Sequence, residues 1–141
     1  MKIIDAKGNL HDRQLLHVLS LYKYMPTEEK MLLLADEYEA DESISVFTCV
    51  EEDVAVGVIV VRHATEGSFE MLGIAVEADF REKGIGSVLI SYVIEHFPAD
   101  QIYAETDDDA VGFYRKYGFD IKSLGEKYPG VVRYLCTYKL S

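Results

Sequence analysis

The segment Arg81-Glu82-Lys83-Gly84-Ile85-Gly86 lies between a strand-like run, Ser68 to Val76, and an amphipathic helix, and it limits the fold more than any other stretch. The first turn of a helix leaves its backbone N–H groups without intrahelical partners and carries about half an elementary positive charge. A glycine-relaxed entry loop at that point attracts phosphate, pyrophosphate above all. Gly84 and Gly86 let the backbone approach closely, and Arg81 and Lys83 bring cations to the same turn. Ile85, Val88, Leu89, Tyr92 and Val93 then recur at helical spacing, which gives the following helix one core face. The backbone of Arg81, Lys83, Gly84, Ile85, Gly86 and Ser87 is therefore the expected anion cradle.

Two glycines beside a basic residue also occur in ordinary strand-to-helix turns. The main functional competitor is a dinucleotide-binding unit, because Glu105 ends the next strand near the place of a ribose-binding acid. Leu89 stands where that motif needs a third small residue, and repeated strand-helix units are missing. A nucleotide P-loop fails because no glycine precedes Gly84 by five residues and no Lys-Ser or Lys-Thr follows it.

Charge narrows the partners. The 25 acidic residues against 14 basic ones give a net charge of −11, which disfavours nonspecific nucleic-acid binding and mildly favours a cationic substrate. No apolar run approaches the length needed to span a bilayer, and the opening Met1-Lys2-Ile3-Ile4-Asp5 turns polar at once, so the expectation is a soluble, cytoplasmic protein without membrane contact. Cys49 and Cys136 fall inside strand-like runs, as small buried hydrophobes rather than a disulfide or metal site.

Along the chain the pattern predicts a strand at Lys2 to Asp5 and a helix carrying Leu15, Leu16, Val18, Leu19 and Tyr22. A second helix opens at Pro26-Thr27-Glu28-Glu29, with Thr27 as its cap. Alternation at Ile44, Val46, Thr48 and Val50, the turn Glu51-Glu52-Asp53 and the run Val54 to Arg62 read as a hairpin, followed by a turn, His63 to Gly67. After the cradle helix come a strand, Gln101 to Glu105, a short helix stopped by Gly118, and a closing hairpin of Phe119 to Ser123 with Val131 to Leu140. The order β-α-α-β-β-β-α-β-α-β-β predicts a single α+β domain over residues 1–141, an α/β sandwich whose mixed, mostly antiparallel sheet is flanked by helices.

The short helix belongs to the segment Asp107-Asp108-Asp109-Ala110-Val111-Gly112-Phe113-Tyr114-Arg115-Lys116-Tyr117-Gly118-Phe119. With the glycine loop upstream, this resembles the GNAT superfamily of acyl-CoA-dependent N-acetyltransferases. That family pairs an Arg/Gln-x-x-Gly-x-Gly/Ala loop with a downstream Asn-x-x-Ala-x-x-Phe/Leu-Tyr-x-x-x-Gly-Phe element, and here Asp107 replaces the common Asn. The element order extends the resemblance over the whole chain.

The resemblance implies acetyl-CoA as co-substrate, a primary amine as acceptor, and two parallel strands that splay around the pantetheine arm. Leu72 to Val76, with Ile74 and Val76, would then face the cofactor, and Gly73 suits such a break. Tyr114 matches the family's general acid, and the Ile74 N–H its carbonyl-polarising donor. Glu70 stands where some protein-acetylating members carry a base. It lies four residues before Ile74, so strand alternation puts both on one face; ordered water is the rival base. His63 lies near the expected acceptor end. Tyr22, Tyr24, Glu28, Tyr38, Tyr128 and Tyr134 fall in the region that sets specificity and are candidates for an aromatic, acidic amine pocket. Arg115 or Lys116 is a candidate for the cofactor's 3′-phosphate. A small amine, a polyamine and a peptide or protein amine all remain open as acceptor, as do monomer and homodimer. The alternative function is a noncatalytic acyl-CoA-binding sensor or interaction module on the same fold.

Overall fold

In the computed structural model, which describes residues 1–140, the elements are Lys2–Asp5 (β1), Arg13–Ser20 (α1), Glu28–Ala40 (α2), Ile44–Glu51 (β2), Val54–Thr65 (β3), Ser68–Val76 (β4), Ile85–His96 (α3), Gln101–Thr106 (β5), Val111–Tyr117 (α4), Asp120–Tyr128 (β6) and Val131–Lys139 (β7). The predicted order is the observed one. The strands form one seven-stranded sheet, β1-β2-β3-β4-β5-β7-β6, in which every pair is antiparallel except β4 with β5. Parallel neighbours need a crossover, and α3 supplies it.

Helices cover the sheet on both sides. On one face α1 packs Leu15, Val18 and Leu19, and α2 packs Met31, Ala35 and Tyr38, against Ile44, Val46, Val58 and Val60. On the other face α3 contributes Ile85, Leu89, Ile90 and Val93, and α4 contributes Val111 and Tyr114, against Phe47, Ile59, Val61, Met71, Ile102 and Ala104. Because β2 and β3 are covered on both sides, their sequences read as near-continuous apolar runs. Cys49 and Cys136 are buried in the second cluster as free thiols. Thr27 caps α2 as expected, its hydroxyl accepting from the Lys30 N–H at 3.2 Å, and α1 is capped by the Asp12 carboxylate, which accepts from Gln14 at 3.0 Å and Leu15 at 3.2 Å. Among the described residues no helix is long and apolar enough to cross a membrane.

One helix end and two strand ends depart from the sequence reading. The first helix ends at Ser20, before Tyr22. The strand β3 continues to Thr65, so His63 lies in a strand, stacked on Phe69 with ring centroids 4.9 Å apart, rather than in a turn. The strand β6 continues to Tyr128, past the predicted end at Ser123, because register shifts after Ser123 and Glu126, with Gly125 at φ +79°, interrupt the alternation that a strand normally shows.

The most consequential irregularity is in β4. Val61 pairs with Met71 but Val60 pairs with Gly73, so Leu72 is an extra residue, a β-bulge. An inserted residue reverses the parity beyond it. Phe69, Met71, Ile74 and Val76 face α3 and α4, whereas Leu72 and Ala75 pack on the α1 and α2 side. Glu70, opposite Arg62, also faces the α1 side. The expectation that Glu70 and Ile74 share a face is therefore corrected: the bulge puts them on opposite faces.

Gly73 has a packing reason. A Cβ there would lie 2.3 Å from the Tyr22 ring, whose hydroxyl is 2.7 Å from that of Tyr38. Its φ is not positive, so the constraint is contact and not backbone strain. Gly112, in α4, has open space around its Cβ position. Gly73→Ala is expected to destabilise by about 1–3 kcal/mol through overpacking. Gly112→Ala is expected to stabilise by about 0.4–1 kcal/mol. Urea unfolding of the two variants checks both signs, and equal effects would contradict the Tyr22 wedge.

Candidate functional site

Pairing between β4 and β5 stops early. Ser68, Phe69 and Glu70 pair with Gln101, Ile102 and Tyr103, and beyond them the strands diverge. The resulting cleft of about 710 Å³ runs between Met71–Val76 and Glu105–Asp107 and is also lined by Leu21, Tyr22, Arg81, Gly86, Phe113, Tyr114 and Arg133. It passes through the sheet. On the α3/α4 face lie Tyr114, Phe113 and Gly86; on the α1 face lie Leu21, Tyr22 and Leu72. In β5 the buried Ala104 and Thr106 alternate with Glu105, which therefore points to the α1 face.

The polarity of β4 follows from one bond. The Glu77 N–H donates to the Val56 carbonyl at 2.8 Å, so Glu77 and, by alternation, Ala75 direct their backbone groups at β3. Ile74 and Val76 consequently direct theirs toward the cleft, where no strand receives them. The Val76 carbonyl is met by Arg81 Nε at 3.0 Å, which ties the Arg81 side chain to the strand end.

The turn entering α3 supplies further free donors. Gly84, at φ +77°, is its N-cap, with no side chain capping the helix. The first bond of the helix runs from the Val88 N–H to the Gly84 carbonyl at 3.0 Å, which leaves the N–H groups of Ile85, Gly86 and Ser87 free. Lys83 and Gly84 likewise make no backbone bond through N–H among the described residues. Arg81 does not join them as a backbone donor, a correction to its expected place in the cradle, because a 3-10 turn at Ala78–Phe80 takes its N–H to the Ala78 carbonyl at 3.3 Å. Its guanidinium remains at the cleft. The Lys83 ammonium sits 5.1 Å from the centre of the Phe80 ring. Gly86 is held small from another side: a Cβ would meet Phe113 at 2.9 Å, so the residue sets how closely α3 and α4 approach.

Tyr114 lies at the inner wall, its hydroxyl donating to Met71 Sδ at 3.7 Å. Burial pushes this phenol well above its ordinary value, so it stays protonated throughout the neutral range. Asp107 accepts from the N–H groups of Asp109 at 3.0 Å and Ala110 at 3.1 Å, closing the turn just ahead of α4 as an Asn side chain also could.

Glu70 forms an ion pair with Arg62 and is not part of the cleft lining. His63 is also outside it. Of the aromatic and acidic group expected to gather for an amine, only Tyr22 reaches the cleft. Tyr24 and Tyr128 are exposed, Tyr134 donates to Asp108 at 2.5 Å, and Glu28 lies on α2 away from the lining. Sequence reasoning missed Arg133 and the cleft position of Glu105; both sit in strands whose neighbours could not be known before β7 was placed beside β5. Among the described residues no group of three His, Cys, Asp or Glu is placed to hold a metal ion.

No curated protein is a significant match by sequence. Among solved structures the chain is similar to an aminoglycoside 6′-N-acetyltransferase complexed with coenzyme A, at 19% identity and TM-score 0.83 over 99% of this chain and 97% of that one. It is similar to a GNAT family acetyltransferase from Elizabethkingia anophelis with acetyl-CoA bound, at 22% identity and TM-score 0.73 over 99% and 97%. It also resembles the ribosomal-protein-S18-alanine N-acetyltransferase from Escherichia coli, at 15% identity and TM-score 0.79 over 99% and 94%. At these identities the likenesses establish the fold. The model of the acetyltransferase (GNAT) family matches residues 13–119, which hold both the glycine cradle and the Tyr114 helix, and the chain belongs to that family.

Proposed function

We propose that the protein transfers an acetyl group from acetyl-CoA to a primary amine, by direct attack while both are bound. The observation that carries this reading is the through-sheet cleft, with unpaired backbone donors along β4 and at the start of α3. These half-buried and exposed backbone groups have no partner among the described residues, and a ligand arm bearing amides and a pyrophosphate would supply partners at these two places. Two of the similar structures hold coenzyme A or acetyl-CoA, which supports the same choice of ligand.

Acetyl-CoA brings an acyl thioester, already activated for attack. The N–H groups of Lys83, Gly84, Ile85, Gly86 and Ser87 bind the pyrophosphate, helped by the Arg81 guanidinium. The cleft-facing groups of Ile74 and Val76 bind the pantetheine arm, and the Ile74 N–H polarises the reacting carbonyl. Tyr114 donates a hydrogen bond, and then its proton, to the departing sulfur, recovering a proton from solvent. Burial keeps the phenol in the protonated form that donation requires, and the negative charge that develops on the sulfur makes it the acceptor. The ammonium proton of the acceptor leaves to water in the cleft. Glu70, facing the α1 side and tied to Arg62, is held as a structural ion pair rather than a base. The alternative of a noncatalytic acyl-CoA-binding module shares the cradle and needs Tyr114 only as a core aromatic.

Thermal unfolding tests the ligand. At about 100 times the dissociation constant, acetyl-CoA and coenzyme A should each stabilise by about 2.7 kcal/mol, with no shift from NAD. Absence of a shift with both acyl carriers would overturn the proposal. For catalysis, Tyr114→Phe should lower kcat by about 10- to 1000-fold while acetyl-CoA affinity stays within about twofold. Glu70→Gln should cost far less. Thiol release with an amine panel measures both, and turnover unaffected by Tyr114→Phe would remove the general acid.

A further inference from the structure

The Tyr114 hydroxyl has one hydrogen-bond acceptor among the described residues, and it is a sulfur, Met71 Sδ at 3.7 Å. Both side chains are buried, and both line the cleft. The phenol ring is clamped by edge-on contacts with Phe113 and Phe119, whose ring centroids lie 5.3 Å and 5.2 Å away. Packing therefore fixes the ring, and the freedom left is rotation of the O–H, which follows its acceptor. Met71 stands where β4 leaves β5: it comes one residue after the last pair between them and one before the bulge at Leu72. The bulge also keeps Met71 on the same face as Ile74. Without the inserted residue, positions 71 and 74 would point to opposite sides of the sheet.

We propose that Met71 is the positioning residue for the general acid: its thioether holds the Tyr114 O–H at the point where β4 and β5 part, without sequestering the proton. This rests on the acetyl-transfer reading above. A thioether is a weak acceptor. A carboxylate or amide oxygen in its place would bind the phenolic proton more firmly and compete with the departing sulfur for it, while an aliphatic side chain would leave the O–H without direction. Exchanging the thioether for a sulfur that is gaining negative charge is downhill, so the aim costs little when the proton moves. For filling space alone leucine would serve, since exchange of leucine and methionine in a core is ordinarily tolerated. What distinguishes methionine at this position is its sulfur.

The chain has four methionines, so carbon-13 labelling of their methyl groups gives four resonances, and the one lost in Met71→Leu is that of Met71. In the free protein Tyr114→Phe should move the Met71 resonance, and coenzyme A should move it in the native protein. Met71→Leu should lower kcat by about 3- to 10-fold in thiol release with the amine panel, while coenzyme A affinity stays within about twofold. In the Tyr114→Phe background the same substitution should change kcat by less than about twofold, because the group it positions is gone. Thermal unfolding reports that each variant is folded. A Met71 resonance indifferent to Tyr114→Phe, a kcat unchanged by Met71→Leu, or losses that multiply in the double variant overturns the inference. Failure of the native protein to bind coenzyme A strikes the acetyl-transfer reading itself, whereas binding together with any of those results strikes only the role of Met71.

Discussion

Everything functional in this molecule depends on β4 and β5 ceasing to pair after three residues. Parallel strands joined by a helix would ordinarily zip together along their length. Here each side of the junction carries a wedge. The bulge at Leu72 follows the last paired residue of β4 almost at once, and the Tyr22 ring occupies the space at Gly73. On the other face Gly86 and Phe113 set the separation of the crossover helix from α4. The strands are held apart by packing on both faces, and the backbone groups that pairing would have satisfied are left directed into a cleft.

This arrangement joins two sources of unsatisfied donors into one surface. A helix start always leaves N–H groups over, and a frayed parallel junction leaves more. The chain does not neutralise the first with a side-chain cap, since Gly84 has none to offer. It also anchors Arg81 across the gap through the Val76 carbonyl, which places a cation where the two donor sets meet. Catalytic equipment is correspondingly sparse. The proposed reaction asks only for one protonated phenol and one backbone donor, because a thiolate is already a fair leaving group.

The sequence disclosed the parts governed by periodicity and failed where parity or neighbours decide. Helices α2 and α3, the hairpin of β2 and β3, and the glycine cradle were legible because apolar spacing, Thr27 and the glycines each have a local meaning. The opposite orientations of Glu70 and Ile74 were not, because a single bulged residue reverses a strand without leaving a sequence signal. Gly73 was read as a break, and its neighbour Tyr22 comes from 51 residues earlier in the chain. The loss of Arg81 as a backbone donor depended on a 3-10 turn too short to show periodicity. Glu105 attracted notice for a nucleotide role it does not have, and its partners Lys127 and Arg133 became visible only when the hairpin of β6 and β7 was laid against β5.

The central claim is that the unpaired backbone of β4 and the start of α3 together receive the acyl carrier. Amide hydrogen exchange with and without acetyl-CoA tests it at the donors themselves. The account predicts slowing by at least about tenfold in peptides covering residues 74–76 and 83–87, with NAD having no effect. Unchanged exchange at both segments, or protection confined to α1 and α2, would contradict it.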